Sequence, residues 1–278
     1  CSTGLIGLSF VSETVLAGVR SAVSALDENG GANAAAAIMT TDTVSKESMF
    51  VSPEGWTIGG MAKGAGMLAP ALATMLVVIT TDAQLGAPQL DQALRQATAQ
   101  TFDRLDSDGC QSTNDTVLLM SSGVSEITPD HLAFTQALTT VCQDLALQLL
   151  ADAEGAEHEI AIEVRGAASL SDALEVGRSV ARSNLFKCAI FGKDPNWGRV
   201  LASVGTTNAI FDPLNLDVAL NDVWVCRDSG PGESQDLVDL DNRDVTVTID
   251  LKSGTESATI WTNDLTTAYV HENSAYST

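Results

Sequence analysis

Positive charge is scarce in this chain. Lysine and arginine number 14 against 36 aspartates and glutamates, a net charge of −22 over 278 residues. A surface this acidic repels phosphate, which argues against nucleic acid or an anionic membrane as partner and favours solubility. Histidine is scarcer still. His131, His158 and His271 are the whole supply, and none stands in a recognisable triad setting. Only 7 prolines accompany 45% hydrophobic residues, which is a globular composition and excludes disorder. The five cysteines, Cys1, Cys110, Cys142, Cys188 and Cys226, are odd in number and widely spaced, with no C-x-x-C pair. That pattern predicts buried, reduced thiols in a cytoplasmic protein, not disulfides or zinc. A long apolar run is also missing. The longest apolar stretch without a charge, "MLAPALATMLVVITT" at 67–81, is too short and too broken by proline to span a membrane. No signal peptide is visible, and a chain that starts at Cys1 is expected to have been trimmed upstream.

What is present reads as helices mixed with strands. "VLAGVRSAVSALDENGG" (15–31) predicts a helix with Val15, Val19, Val23 and Leu26 on one face. A small-residue strand is expected at 33–43, an amphipathic helix at 90–106 and a strand after the turn at 107–109. Thr128-Pro129-Asp130 is read as a hydroxyl cap with proline at the first helical position, opening a helix to about Leu150. Its buried face is Phe134, Leu138, Val141, Leu145 and Leu149. Strands are predicted at 159–164, 186–192 and 199–205 around a helix at 171–183. At the end, "DVTVTIDL" (244–251) and "SATIWT" (257–262) read as a hairpin, followed by a last helix. Together these predict an α/β or α+β fold with antiparallel pairing near the C-terminus.

The stretch "KGAGMLAPALATMLVVITTDA" (63–83) sets one hydroxyl, Thr74, at the mouth of an apolar strand. A threonine hydroxyl needs a base, and where histidine is so rare a threonine can instead use its own α-amine, freed only if the Ala73–Thr74 bond is cut. A threonine packed at a strand end is the commoner case, and the local residues leave both readings open. "STGLIG" (2–7) pairs a hydroxyl with a backbone-exposing glycine, which suits either an oxyanion or an ordinary turn. "FGKDPNWGRVLASVG" (191–205) reads as a loop, unusually rich in polar and aromatic residues, leading into a strand.

Taken as an ordered series, "STGLIG", "MTTDT" (39–43), "GGMAKGAGMLAPALATML" (59–76), "STNDT" (112–116), "AEGA" (153–156), "AIFGKDPNWGR" (189–199) and "NDLTTAYVHENSAYST" (263–278) resemble the ornithine acetyltransferase (glutamate N-acetyltransferase) family from end to end. The resemblance implies two α/β lobes of the autoprocessing threonine acyltransferase type, with mixed and antiparallel sheets and flanking helices. It implies self-cleavage between Ala73 and Thr74, giving residues 1–73 as the end of an α chain and 74–278 as a β chain. Thr74 then takes the acetyl group from N-acetylornithine and passes it to glutamate in a ping-pong reaction. Thr3 and Gly4 match the oxyanion pair, whose donors contribute about 3 kcal/mol each in such sites. Thr40, Lys63, Thr74, Glu154, Asn273 and Thr278 match substrate-binding positions. Lys63, one of five lysines, suits the α-carboxylate shared by both substrates, and Glu154 the δ-ammonium of ornithine.

The resemblance further implies an α2β2 assembly, a cytoplasmic location, no metal and no organic cofactor, with acetyl-CoA a further candidate donor. The family carries an additional segment upstream of "STGLIG", so part of the first lobe is expected to be missing here. After "AEGA" the family often has Thr-Lys, where this chain has Glu157-His158. Two alternatives stand beside this reading: an autoprocessing aminopeptidase or amidase that uses water as acceptor, and a ligand-binding homologue that never cleaves. Cys1 as an N-terminal nucleophile receives little weight, since in the family comparison its position is internal.

Overall fold

The computed structural model of the chain describes residues 12–69, 75–110 and 115–275. Among these residues two sheets form, each with its own hydrophobic core. The first lobe runs α1 (Ser12–Ser24), α2 (Gly31–Ala37), β1 (Lys46–Val51), β2 (Thr57–Lys63), β3 (Leu76–Thr81), α3 (Ala87–Thr98), β4 (Thr116–Ser121) and α4 (His131–Ala151). Its strands lie in the order β1-β2-β3-β4, with β3 and β4 parallel and the other pairs antiparallel. The run Val77-Val78-Ile79-Thr80-Thr81 is β-branched throughout, so β3 takes a central place where stiff side chains pack well. Ile58, Val77 and Ile79 meet Phe134, Leu138, Val141, Leu145 and Leu149 of α4, the face expected from the sequence. The cap of α4 is Asp130, whose carboxylate accepts the Ala133 N–H at 3.0 Å, two residues after the expected Thr128.

The second lobe adds β5 (Glu159–Ala167), α5 (Leu170–Ala181), α6 (Asn184–Phe191), α7 (Trp197–Val204), β6 (Asp217–Leu220), β7 (Val223–Arg227), β8 (Gly230–Pro231), β9 (Asp244–Asp250), β10 (Glu256–Asn263) and α8 (Thr267–Ala275). The order is β10-β5-β9-β6-β7-β8, parallel only between β5 and β9. The lobes are stitched where the Asp106 N–H donates to the Trp261 carbonyl at 2.8 Å and the Asn263 amide to the Leu150 carbonyl at 3.2 Å. No helix among the described residues is long and apolar enough to cross a membrane.

The mixed α/β architecture agrees with the sequence, and several elements correct it. Residues 31–37 are helical because "GANAAAA" is rich in alanine, the strongest helix former. The strands expected at 186–192 and 199–205 are the helices α6 and α7, started by Ser183 and Asn196, whose side chains accept the Phe186 and Arg199 N–H groups. The polar stretch 191–205 is therefore a short connector at 192–196 leading into helix α7 rather than a loop before a strand. The expected terminal hairpin is absent: β5 lies between β9 and β10, so these strands never pair. Helix α1 stops at Ser24 and leaves Val15, Val19 and Val23 exposed. Of the described cysteines, all free, Cys142 and Cys226 are buried, but Cys110 and Cys188 are exposed.

Candidate active site

The functional residues expected from the sequence divide into two groups. Thr3, Gly4, Ala73, Thr74 and Thr278 lie outside the described residues. Thr40, Lys63, Glu154 and Asn273 lie within them, and the first three collect around the junction of β2 with the loop that follows it.

Lys63 is the last residue of β2 and is only 3% exposed. The β2–β3 register sets it opposite Leu76, two residues beyond Thr74. Its Nζ reaches the Thr40 hydroxyl at 3.4 Å. Burial lowers its pKa, while the carboxylates of Asp42 and Asp115 act in the opposite sense. Asp42 is itself buried, which would raise its pKa. Bonds from the Gly64 N–H at 2.7 Å, Lys46 Nζ at 2.6 Å and the Thr40 N–H at 3.1 Å outweigh this and hold its carboxyl below the usual range.

Asp115 meets the chain at Met75, the residue before Leu76. Its carboxylate accepts the Met75 N–H at 2.8 Å, and the Thr116 N–H donates to the Met75 carbonyl at 3.1 Å. Burial pushes the Asp115 carboxyl up to about 6, against the Met75 bond and the Lys63 charge, so at neutral pH it is an anion facing an ammonium. Met75 is thereby held through both its N–H and its carbonyl.

Glu154 sits on the "AEGA" loop that follows α4. Its N–H donates to the Ala65 carbonyl at 2.7 Å, and its carboxylate lies against Gly66. A β-carbon on Gly66 would stand 2.7 Å from Glu154 Oε2, which explains why a glycine follows Lys63 and Ala65 here. The same loop receives α8: Thr266 Oγ1 donates to the Gly155 carbonyl at 2.6 Å. One turn on, the Tyr269 hydroxyl donates to Asp108 at 3.2 Å, and Asp108 also accepts the Met67 N–H at 3.0 Å. Burial raises the Tyr269 pKa and the neighbouring Asp108 charge adds to it, so the phenol stays a donor. Asn273 is exposed a further turn along α8, its amide donating to the Tyr269 carbonyl at 3.0 Å. The structure thus joins Thr40 to Lys63, lays Glu154 on the loop that Lys63 opens, and hangs Asn273 from a helix docked on the Glu154 loop.

Two cavities flank this cluster. One of about 350 Å³ is lined by Met75, Asp115, Thr116, Leu68 and Phe102. The other, about 230 Å³, is lined by Glu154, Asp108, Tyr269, Asp264 and Lys187. Lys187, in the stretch mistaken for a strand, is a buried ammonium that donates to the Ser107 carbonyl and to Thr262 Oγ1 at 3.3 Å. Sequence reasoning singled out none of Asp42, Asp108, Asp115 and Tyr269. Asp42 and Asp115 did stand inside the quoted segments "MTTDT" and "STNDT", and that was the available signal.

Fold and cluster define a two-lobed mixed α/β protein with a buried lysine flanked by carboxylates where two central strands meet. The chain belongs to the ArgJ family, whose sequence model matches residues 1–278. The arginine biosynthesis bifunctional protein ArgJ of Streptomyces avermitilis is 63% identical over 276 residues, 99% of this chain and 72% of that protein. The protein of the same name from Thermobifida fusca is 64% identical over 278 residues, 100% of this chain and 72% of its own length. Among solved structures, the arginine biosynthesis bifunctional protein argJ of Bacillus halodurans superposes with a TM-score of 0.67 at 34% identity. That match covers 72% of this chain and 98% of the crystallised one.

Proposed function

We propose that this chain, after scission of the Ala73–Thr74 bond, transfers an acetyl group from N-acetylornithine to glutamate through an ester on Thr74. The single observation that carries the reading is Lys63. It is a buried ammonium beside the Thr40 hydroxyl, paired across β2–β3 with Leu76, which follows Thr74 by two residues in the chain, and this supports a site for an α-carboxylate.

The freed Thr74 amine takes the hydroxyl proton as Oγ attacks the acetyl carbonyl. The C–N bond to ornithine breaks, and the departing amine takes up the proton. The α-amine of glutamate then attacks the ester and regenerates the hydroxyl. Thr3 and Gly4 donate to the oxyanion in both halves. Thr40, Lys63, Glu154, Asn273 and Thr278 bind the substrates, with Glu154 taking the δ-ammonium of the donor. Acetyl-CoA is a second candidate donor, and the setting is cytoplasmic.

Two features favour a chain that is cut and stays together. The cut divides the first sheet between β2 and β3, which are paired from Ile58↔Thr81 to Lys63↔Leu76. Residues 1–73 and 74–278 would therefore remain joined by a ladder and a shared core, as half of an α2β2 assembly. The match to the crystallised relative takes up 98% of that chain and 72% of this one, and residues 74–278 are 205 of the 278 residues of the present chain, a similar share.

The deciding assay incubates the protein with N-acetylornithine and follows ornithine release with and without glutamate. Acetylglutamate formed in step with ornithine is the expected result. Ornithine release into water alone would make the protein an amidase, and no release would leave a binding protein. Within this reading Glu154→Gln removes the charge but keeps the shape. It should raise KM for N-acetylornithine by roughly tenfold or more, the worth of a charged hydrogen bond, and leave KM for glutamate within about twofold. Equal effects on both substrates would reject the role of Glu154.

A further inference from the structure

One buried ammonium links the segments that carry three of the four described residues to which the proposed reaction gives a substrate. Lys46, the first residue of β1, is fully buried. Its Nζ lies 2.6 Å from Asp42 Oδ1 and 2.6 Å from Asp152 Oδ2, and 3.3 Å from the Val44 carbonyl. Each carboxylate holds a different part of the site. Asp42 accepts the N–H groups of Thr40 and Gly64, fixing the Thr40 backbone against the residue next to Lys63. Asp152 stands at the C-terminus of α4, two residues before Glu154, and accepts both the N–H and the hydroxyl of Thr43. From there the Glu154 N–H crosses to Ala65 and closes the ring of contacts.

We propose that Lys46 is a positioning residue, a brace that holds the segments presenting Thr40, Lys63 and Glu154 in one arrangement through Asp42 and Asp152. The inference rests on the acetyl-transfer reading for what those residues bind, and on geometry alone for the brace. Two carboxylates touching one nitrogen are stable in a buried site only while the cation is there. Without it they repel, and a buried charge with no partner is costly. The relief available is to part the β1–β2 corner from the end of α4, which separates Lys63 from Glu154. The two arms should have distinct effects. The Asp42 arm holds the groups that meet the α-carboxylate common to both substrates. The Asp152 arm holds the group that meets the ammonium of the donor alone.

The test compares wild type, Lys46→Met and Asp152→Asn by steady-state kinetics and by amide hydrogen exchange. Lys46→Met, similar in length but uncharged, should raise KM for both substrates tenfold or more with kcat changed less than threefold. Asp152→Asn should raise KM for N-acetylornithine alone. In both variants the Glu154 amide should exchange at least tenfold faster, and in Lys46→Met the Gly64 amide as well, while the amides of α5 keep their rates. A lysine that serves only stability would lower the melting temperature and move neither KM. Unchanged KM values in a folded variant, or wild-type exchange at Gly64 and Glu154, overturn the proposal. Should Lys46→Met fail to fold, Asp152→Asn decides by the same criteria. A wild type that transfers no acetyl group refutes the acetyl-transfer reading instead, and exchange then decides the brace by itself.

Discussion

Replacing Thr74 with valine should leave the chain as one species of 29.0 kDa and reduce acetyl transfer to background. Valine keeps the branched shape of the side chain and exchanges only the hydroxyl for a methyl group. The described contacts nearest in the chain are those of Met75, whose N–H donates to the Asp115 carboxylate and whose carbonyl accepts the Thr116 N–H, and the β2–β3 ladder. None of them needs a hydroxyl, so the fold should survive and the loss be chemical. Without Oγ there is no attack on the Ala73 carbonyl and no site for an acetyl ester. Removing an enzyme's nucleophile lowers turnover by roughly 10⁴-fold or more. Thr74→Ser restores an oxygen and should restore both scission and turnover in part. Intact-mass measurement reads the first outcome and ornithine release the second. Two fragments from the valine variant would show that another group cuts the chain, and turnover by it would remove Thr74 from the mechanism.

Parts of this architecture were legible before any coordinates because one physical signal dominated them. Helix α4 is long and apolar, and the spacing of Phe134, Leu138, Val141, Leu145 and Leu149 brings them together on one helical face. Strands β3, β5 and β9 are β-branched runs bounded by turns. Reading failed where that signal was short. "FKCAIFG" and "RVLASVG" are apolar windows that suit a strand or two turns of helix equally, and the decision rested on Ser183 and Asn196 just upstream. "DVTVTID" and "SATIWT" are adjacent strands in sequence, and nothing local reveals that β5 separates them. The site divides the same way. Lys63 stood out because lysine is rare here. Asp42, Asp115 and Asp152 did not, because among 36 acidic residues a single aspartate carries little information. Which two share a buried ammonium, and which one bonds Met75 near Lys63, is decided by sheet register and by the return of the chain after α4.

Gly155→Ala should cost roughly a hundredfold in kcat/KM, by releasing α8 rather than by unfolding either lobe. Gly155 has φ +64°, a conformation that costs an alanine about 1 kcal/mol. The added carbon would also stand 2.6 Å from the Ala268 carbonyl carbon and nearer still to the Tyr269 nitrogen. Both are backbone atoms in the first turn of a helix, so no side chain can swing aside and the helix itself must move. Little resists that movement. Helix α8 buries no residue fully, and it is held by Thr266 Oγ1 on the Gly155 carbonyl and by the Tyr269 hydroxyl on Asp108. A shift of about 1 Å breaks bonds of that length, and α8 leaves with Asn273 and the tail beyond it. If Asn273 and Thr278 each contribute about 1.5 kcal/mol to binding, their joint loss is close to a factor of a hundred. The two cores lose no contact of their own, so the melting temperature should fall by only a few degrees while limited proteolysis shifts to residues 265–275. A variant with wild-type turnover and an uncut C-terminal segment would mean that the Glu154 loop does not hold this helix. Global unfolding would mean that α8 is part of the cooperative core despite its exposed surface.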